Sequence, residues 1–115
     1  TVDLIDAEGR HQGGFISPGL TLMREALAKG TEALPLNAMK YPIGPANFTD
    51  AAIYSGTLYA AVGLIEHTVF RQPVKTSLIL TGGDADLIAE QLTFQPITDN
   101  LLVLRGLALI LSNYQ

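Results

Sequence analysis

One segment narrows the choice of fold more than any other: residues 74–80, rich in apolar side chains, which end just before Gly82 and Gly83. The segment predicts a strand buried on both faces, and the glycine pair predicts a tight turn where that strand ends. Asp84 can cap a short helix that follows through Leu92. A buried strand, a glycine-rich turn and a helix in that order indicate an α/β fold.

The residues before this unit predict a hairpin and a first helix. Residues 1–6 alternate well enough for a strand, residues 11–17 are predicted to form a second strand, and the adjacent glycines at 13 and 14 predict a bulge or a crowded backbone. Ser17 and Pro18 are typical of a helix N-cap and first helical residue, and Gly30 of a C-terminal cap. Leu20, Met23, Ala26 and Leu27 fall on one face of the first helix. A long loop is predicted over residues 31–48, then a helix from Thr49 to about Phe70, and later an extended piece over residues 93–98. The last predicted element is an apolar helix capped by Asp99 or Asn100, and we expect this helix to be buried.

Length and composition limit the function classes. The chain has 115 residues, which is enough for one compact domain and not for two, so residues 1–115 are predicted to form a single domain. With 48% hydrophobic and 16% charged residues, the composition excludes disorder. Seven scattered Lys and Arg residues give no basic patch for nucleic acid. No segment reaches the roughly 18 apolar residues of a membrane span, and without cysteine there is no disulfide or thiolate metal site.

Gly82 and Gly83 are the first candidate site. Two glycines at the carboxyl end of a strand let a ligand approach the backbone without meeting a Cβ atom, and the next helix begins with unpaired N–H groups. This is how nucleotide-binding α/β units are built. Asp84 disfavours direct phosphate binding, because its carboxylate competes for those donors. A simple strand-to-helix turn is the structural alternative.

Thr49 is the second candidate. It stands where the long loop meets the long helix, which is typical of an N-cap. A hydroxyl at that position can also bind the hydroxyl or amide of a substrate, and the two roles are compatible.

The long helix also carries a stripe of small residues: Ala52, Gly56, Ala60 and Gly63. Glycine inside a helix costs roughly 1 kcal/mol relative to alanine, so the stripe predicts close packing against another element, and we favour a neighbour within the chain over a second subunit. His11 and His67 have no partner at ligand spacing and are interpreted as surface or hydrogen-bonded residues. No catalytic triad or metal-ligand set can be proposed.

Taken together, five segments of the chain resemble the type III pantothenate kinases, in the order that the family has them. They are residues 1–6 (Thr-Val-Asp-Leu-Ile-Asp), 9–20 (Gly-Arg-His-Gln-Gly-Gly-Phe-Ile-Ser-Pro-Gly-Leu), 47–49 (Asn-Phe-Thr) with Ser55 and Gly56, 80–85 (Leu-Thr-Gly-Gly-Asp-Ala) and 102–107 (Leu-Val-Leu-Arg-Gly-Leu). Two positions depart from the family pattern. An asparagine usually directly precedes the threonine, whereas here Phe48 intervenes before Thr49 or replaces that asparagine, and Tyr54 stands where a glutamine is common.

The resemblance implies a ribonuclease-H-like domain of the acetate-and-sugar-kinase/Hsp70/actin superfamily, lacking its first strand in this chain. The chain would be the C-terminal half of a two-domain, cytoplasmic, homodimeric kinase that transfers phosphate from ATP to pantothenate, the first step of coenzyme A biosynthesis. Thr49 would contact pantothenate, and Gly82 and Gly83 would lie beside the adenosine part of ATP. A non-catalytic regulatory or binding relative with the same fold is the alternative.

The same resemblance places the rest of the chemistry outside these residues. The family's phosphate loop, its catalytic aspartate and its Asp-x-Gly-Thr strand would all precede Thr1. We therefore expect the chain to be inactive without the N-terminal half. The ligands for Mg²⁺ and for a monovalent cation, K⁺ or NH4⁺, would also lie mostly outside it.

Overall fold

The computed structural model describes residues 1–29 and 40–114 and has a mixed α/β architecture, which confirms the predicted class. The chain forms two compact units, Thr1–Ala61 and Val62–Gln115. The first unit holds two strands, a helix and the start of a long second helix. The second holds the end of that helix, two short strands and two further helices. The assignment of residues 1–115 to one ribonuclease-H-like domain stays a prediction.

The hairpin consists of β1 (Val2–Ile5) and β2 (His11–Phe15), paired antiparallel. Leu4 pairs with Gly13 and Ile5 pairs with His11, so Gln12 is an extra residue on β2. The predicted bulge is therefore confirmed, and Gly13 supplies the φ of +115° that it requires. Strand β2 ends at Phe15, two residues earlier than predicted.

Polar contacts fix the turn of the hairpin. Asp6 accepts hydrogen bonds from the backbone N–H of Arg10 (2.9 Å) and of Glu8 (3.0 Å), and from Arg10 Nε (2.9 Å). These contacts, above all the backbone bond from Arg10, lower the pKa of the Asp6 carboxyl. His11 is not isolated, because its Nε2 lies 2.9 Å from Asp3 Oδ1 across the two strands. The pair was missed because its residues are eight apart in sequence.

Helix α1 (Leu20–Ala28) begins two residues later than predicted. The carbonyl of Gly19 accepts the first helical hydrogen bond, from Met23 N at 2.9 Å, which makes Gly19 the N-cap residue in place of Ser17. The Ser17 hydroxyl donates to the carbonyl of Pro18 instead of capping the helix. The predicted cap at Gly30 lies outside the described residues.

Helix α2 (Thr49–Phe70) has the bounds that the sequence predicts. Its buried side chains recur every three or four residues, as one face of an α-helix requires. In the first unit that face packs with Leu20 of α1 to form the core. The buried members of the face are Ala51, Tyr54, Ser55 and Leu58 in the first unit and Val62, Ile65 and Thr68 in the second.

The second unit contains a small parallel sheet of β3 (Ile79–Leu80) and β4 (Ile97–Thr98). Strand β3 is shorter than the predicted residues 74–80, and Ile79 is 51% exposed while Leu80 is buried. The prediction of a strand buried on both faces is therefore wrong for the described residues, since only one face of β3 is covered. Helix α3 (Ala85–Gln91) follows, with Asp84 at its N-cap position but without a side-chain cap bond.

Helix α4 (Leu102–Ser112) was expected to be buried, and that expectation is wrong. Leu102, its least exposed large apolar side chain, is 40% exposed, and Leu109 is 67% exposed. Leu101, rather than Asp99 or Asn100, occupies the N-cap position. Asp99 still holds the turn, because it accepts hydrogen bonds from Leu101 N (3.0 Å) and Arg105 Nη1 (2.7 Å). Among the described residues, no helix is long and apolar enough to cross a bilayer.

Leu58 tests the packing of α2, because its side chain is fully buried. Leu58→Ala is expected to lower the free energy of unfolding by about 2–4 kcal/mol, since it leaves a cavity at the centre of the buried face. The matched control is Leu104→Ala on α4, where the side chain is 62% exposed and the loss should stay below about 1 kcal/mol. Urea unfolding followed by circular dichroism measures both, and equal losses would contradict this core.

Candidate functional site

The first unit contains an open groove of about 710 Å³ between α1 and the first three turns of α2. Its walls are almost entirely apolar, and none of its lining side chains is charged. Thr49 and Thr57 are its two lining residues with polar side chains, and Thr57 is itself buried. The lining residues are Pro18, Leu22, Met23, Ala26, Leu27, Thr49, Ala52, Ile53, Gly56, Thr57 and Ala60.

Thr49 lies in the wall of this groove, as the first residue of α2. It is not the N-cap, since the carbonyl of Phe48 accepts the first helical bond, from Ala52 N at 3.1 Å. Within the described residues, the Thr49 hydroxyl makes no hydrogen bond to another side chain or to the backbone, and the side chain is exposed. The hydroxyl is therefore available to a ligand in the groove.

The stripe of small residues provides part of the groove instead of packing against another element. Ala52, Gly56 and Ala60 line the groove, and a Cβ atom built at Gly56 or at Gly63 would meet no atom within 4 Å. The prediction of close internal packing is thus wrong for the described residues. Because these side chains are short, they leave open space beside α2 that larger residues would fill.

The segment before α2 is held on the helix by one aromatic cluster. Tyr41 contacts Phe48 edge-to-face, with ring centroids 5.5 Å apart, and contacts Tyr54 of α2 at 5.9 Å. The hydroxyl of Ser55 accepts a hydrogen bond from Gly44 N at 3.1 Å. Phe48 and Tyr54 therefore meet the same ring, and Tyr41 joins them.

Arg24 reaches from α1 to α2 beside the groove. Its Nε donates to Thr57 Oγ1 (2.9 Å), its Nη2 donates to the carbonyl of Tyr54 (3.1 Å), and its guanidinium carbon lies 4.5 Å from the centroid of the Tyr54 ring. Sequence reasoning missed Arg24, Thr57 and Tyr41, because their contacts join residues 7 to 33 positions apart. The helical spacing of Met23, Ala26 and Leu27 did predict one face of α1, and these three residues line the groove.

Gly82 and Gly83 lie in the second unit, in the turn between β3 and α3. Gly82 has a φ of +104°, which L-residues rarely adopt, so this turn needs a glycine for its backbone geometry, as the predicted tight strand-to-helix turn would. Both residues are exposed, and a Cβ atom at either would meet nothing within 4 Å. The backbone of this turn is therefore accessible.

Acidic and histidine side chains form no cluster in the described ranges, 1–29 and 40–114, that could hold a metal ion. The Asp3–His11 pair is exposed in the hairpin, Asp6 is half-buried there, and hydrogen bonding to His11 lowers the pKa of Asp3. These are surface contacts of the hairpin and do not line the groove.

Comparisons with known proteins agree on one family. Residues 1–71 match the sequence profile of the type III pantothenate kinases. A type III pantothenate kinase of Laribacter hongkongensis is 46% identical over 94% of this chain and 46% of its own length. A type III pantothenate kinase of Acinetobacter baumannii is 35% identical over 99% of this chain and 46% of its own length. The chain thus spans about half the length of these curated relatives.

A solved structure has the same fold as this chain. The crystal structure of a conserved Baf family transcriptional activator from Campylobacter jejuni superimposes with a TM-score of 0.67 at 25% identity. The match covers 97% of this chain and 52% of that protein.

The turn at Gly82 provides a test that depends on backbone geometry alone. Gly82→Ala is expected to lower the free energy of unfolding by about 1–2 kcal/mol, because a Cβ atom is strained at this positive φ. Gly83→Ala is the matched control: it adds the same methyl group to the same turn, without the positive φ, and should change stability by less than about 0.5 kcal/mol. Equal effects in denaturant unfolding would show that the geometry of this turn is wrong.

Proposed function

The chain belongs to the type III pantothenate kinase family, and we propose that the native protein transfers the γ-phosphate of ATP to pantothenate, the first step of coenzyme A biosynthesis. The observation that carries this proposal is the family match over residues 1–71, together with relatives of the same name over more than nine-tenths of the chain. We further propose that the protein is a cytoplasmic homodimer and that this chain contributes a ribonuclease-H-like domain. The TM-score of 0.67 to a Baf family protein supports the proposed fold.

In this proposal the groove beside Thr49 binds pantothenate. Pantothenate is a small anion with hydroxyl and amide groups and a geminal dimethyl group, so it needs both apolar contacts and a few hydrogen bonds. The groove offers an apolar wall from Met23 and Leu27, room beside Gly56, and the available Thr49 hydroxyl. No carboxylate lines it, so an anionic ligand meets no like charge there.

We propose that the adenosine part of ATP lies against Gly82 and Gly83. The open backbone at both residues fits this role, because a planar base can approach where no Cβ atom intervenes. Bound ATP would supply the phosphoryl group. The described residues provide no ligand cluster for Mg²⁺ or for a K⁺ or NH4⁺ ion, and we assign those ligands to other parts of the native protein.

The chemistry of phosphoryl transfer indicates which functions this chain can perform and which it cannot. Such reactions depend on positioning the two substrates and on stabilising the charge that develops during transfer. The residues described here can orient pantothenate and hold adenosine. We assign the catalytic base and the phosphate-binding groups to the part of the relatives that this chain does not cover, so the chain alone is expected to be inactive.

A regulatory relative of the same fold is the second candidate function. It is favoured by the structural similarity to the protein of Campylobacter jejuni, which is named as a transcriptional activator. In that case the groove would bind pantothenate or a similar ligand without phosphorylating it. An assay of phosphopantothenate formation separates the two functions.

Thr49→Val is expected to raise the KM for pantothenate by about tenfold in the native protein, the size expected for one lost hydrogen bond to a ligand. The KM for ATP should change by less than about twofold, because Thr49 lies in the groove and not at the glycine turn. Thr49→Ser keeps the hydroxyl and should remain close to wild type. Steady-state assays with each substrate varied in turn measure both constants.

Two results would contradict the assigned role. If Thr49→Val raised both KM values equally, the substitution would act on the fold and not on pantothenate. If Thr49→Val and Thr49→Ser gave the same constants, the hydroxyl would have no part in binding.

A further inference from the structure

Arg24 is a charged residue of α1 whose interactions join α1 to α2. It is half-buried, and it makes one hydrogen bond to the Thr57 hydroxyl and one to the Tyr54 carbonyl, both on α2. Among the described residues, no carboxylate lies within ion-pair distance of it. Its charge is therefore balanced by a hydroxyl, a carbonyl and the face of an aromatic ring.

The contacts of Arg24 continue to Thr49 through the aromatic cluster. The guanidinium lies over the ring of Tyr54, Tyr54 contacts Tyr41, and Tyr41 contacts Phe48, which directly precedes Thr49. Each contact is between packed rings or a ring and a cation. If the ring of Tyr54 moves, we therefore expect Tyr41 and Phe48 to move with it and to shift Thr49, the first residue of α2.

Thr57 joins Arg24 directly to the wall of the groove. Its hydroxyl donates to the carbonyl of Ile53 at 2.7 Å and accepts from Arg24 Nε at 2.9 Å. The donor hydrogen is thus used within the helix, and the arginine fixes the orientation of the oxygen. Because Thr57 lines the groove, Arg24 holds one residue of its wall, and through the ring of Tyr54 it contacts the aromatic cluster next to Thr49.

We propose that Arg24 is a positioning residue for pantothenate binding, which holds α1 and Thr49 at the separation and orientation that the groove requires. This inference rests on the proposed function, and it adds a role for a residue that does not itself touch the substrate. The role depends on an aromatic ring at position 54, where this chain departs from the glutamine that is common in the family. Arg24 and Tyr54 therefore act as a pair.

Arg24→Lys tests the proposal in the native protein. Lysine keeps the charge but cannot make the two hydrogen bonds while stacking flat on a ring. We expect the KM for pantothenate to rise by about tenfold, the change that a misplaced hydrogen-bonding group produces, while the kcat and the KM for ATP stay within about twofold. Glu25→Gln is the matched control, since Glu25 is the exposed neighbour on the same helix.

Tyr54 provides a second, independent set of variants. Tyr54→Phe keeps the ring beneath the guanidinium and should raise the KM for pantothenate much less than Tyr54→Leu. The double variant of Arg24→Lys with Tyr54→Leu should be little worse than the more damaging single variant, because both remove the same contact. Thermal unfolding of every variant, measured alongside, ensures that the assays are made on folded protein.

The outcomes are distinct. A selective rise in the KM for pantothenate, shared by Arg24→Lys and Tyr54→Leu and not additive, supports the proposal. If the wild type is active and folded Arg24→Lys has the same kinetic constants as the wild type, this inference is overturned and the proposed function still stands. A wild type that does not phosphorylate pantothenate overturns the proposed function and the inference together.

Discussion

The packing of one face of α2 is the interaction on which the other features depend. Its buried side chains, from Ala51 through Leu58 to Ile65, contribute to the cores of both compact units. Since that face is fixed by burial, the neighbouring face with Ala52, Gly56 and Ala60 is fixed as well. That second face is what forms the groove together with α1. The same hydrophobic periodicity therefore determines the core and the position of the candidate site.

The groove depends on polar and aromatic contacts as well as on apolar packing. Arg24 bridges α1 and α2, and Tyr41 joins Phe48 to Tyr54 where the helix begins. Edge-to-face ring pairs contribute about 0.5–1.5 kcal/mol each beyond the area they bury. Phe48 and Tyr54 are thus parts of one cluster. A change at Phe48 alone would be expected to alter the contacts of Tyr54.

Local rules were sufficient where turn and loop residues delimit an element. The bounds of α2, the bulge near Gly13 and the tight turn at Gly82 were all predicted correctly. Local rules failed where the burial of an element depended on which other elements pack against it. Helix α4 has the composition of a buried helix, yet Leu109 is exposed because nothing in the described residues covers it. Contacts such as that between Arg24 and Thr57 join residues far apart in sequence, and a single sequence gives no signal for them.

The central claim is that the groove beside Thr49 is the pantothenate site, and a crystal structure of the native protein with pantothenate bound tests it most directly. We expect an oxygen or nitrogen atom of pantothenate within about 2.6–3.2 Å of the Thr49 hydroxyl oxygen, and the geminal methyl groups against Met23 or Leu27. Arg24 should keep its bonds to Thr57 and Tyr54 in that complex. Pantothenate bound at another site, with the groove holding only solvent, would contradict the claim.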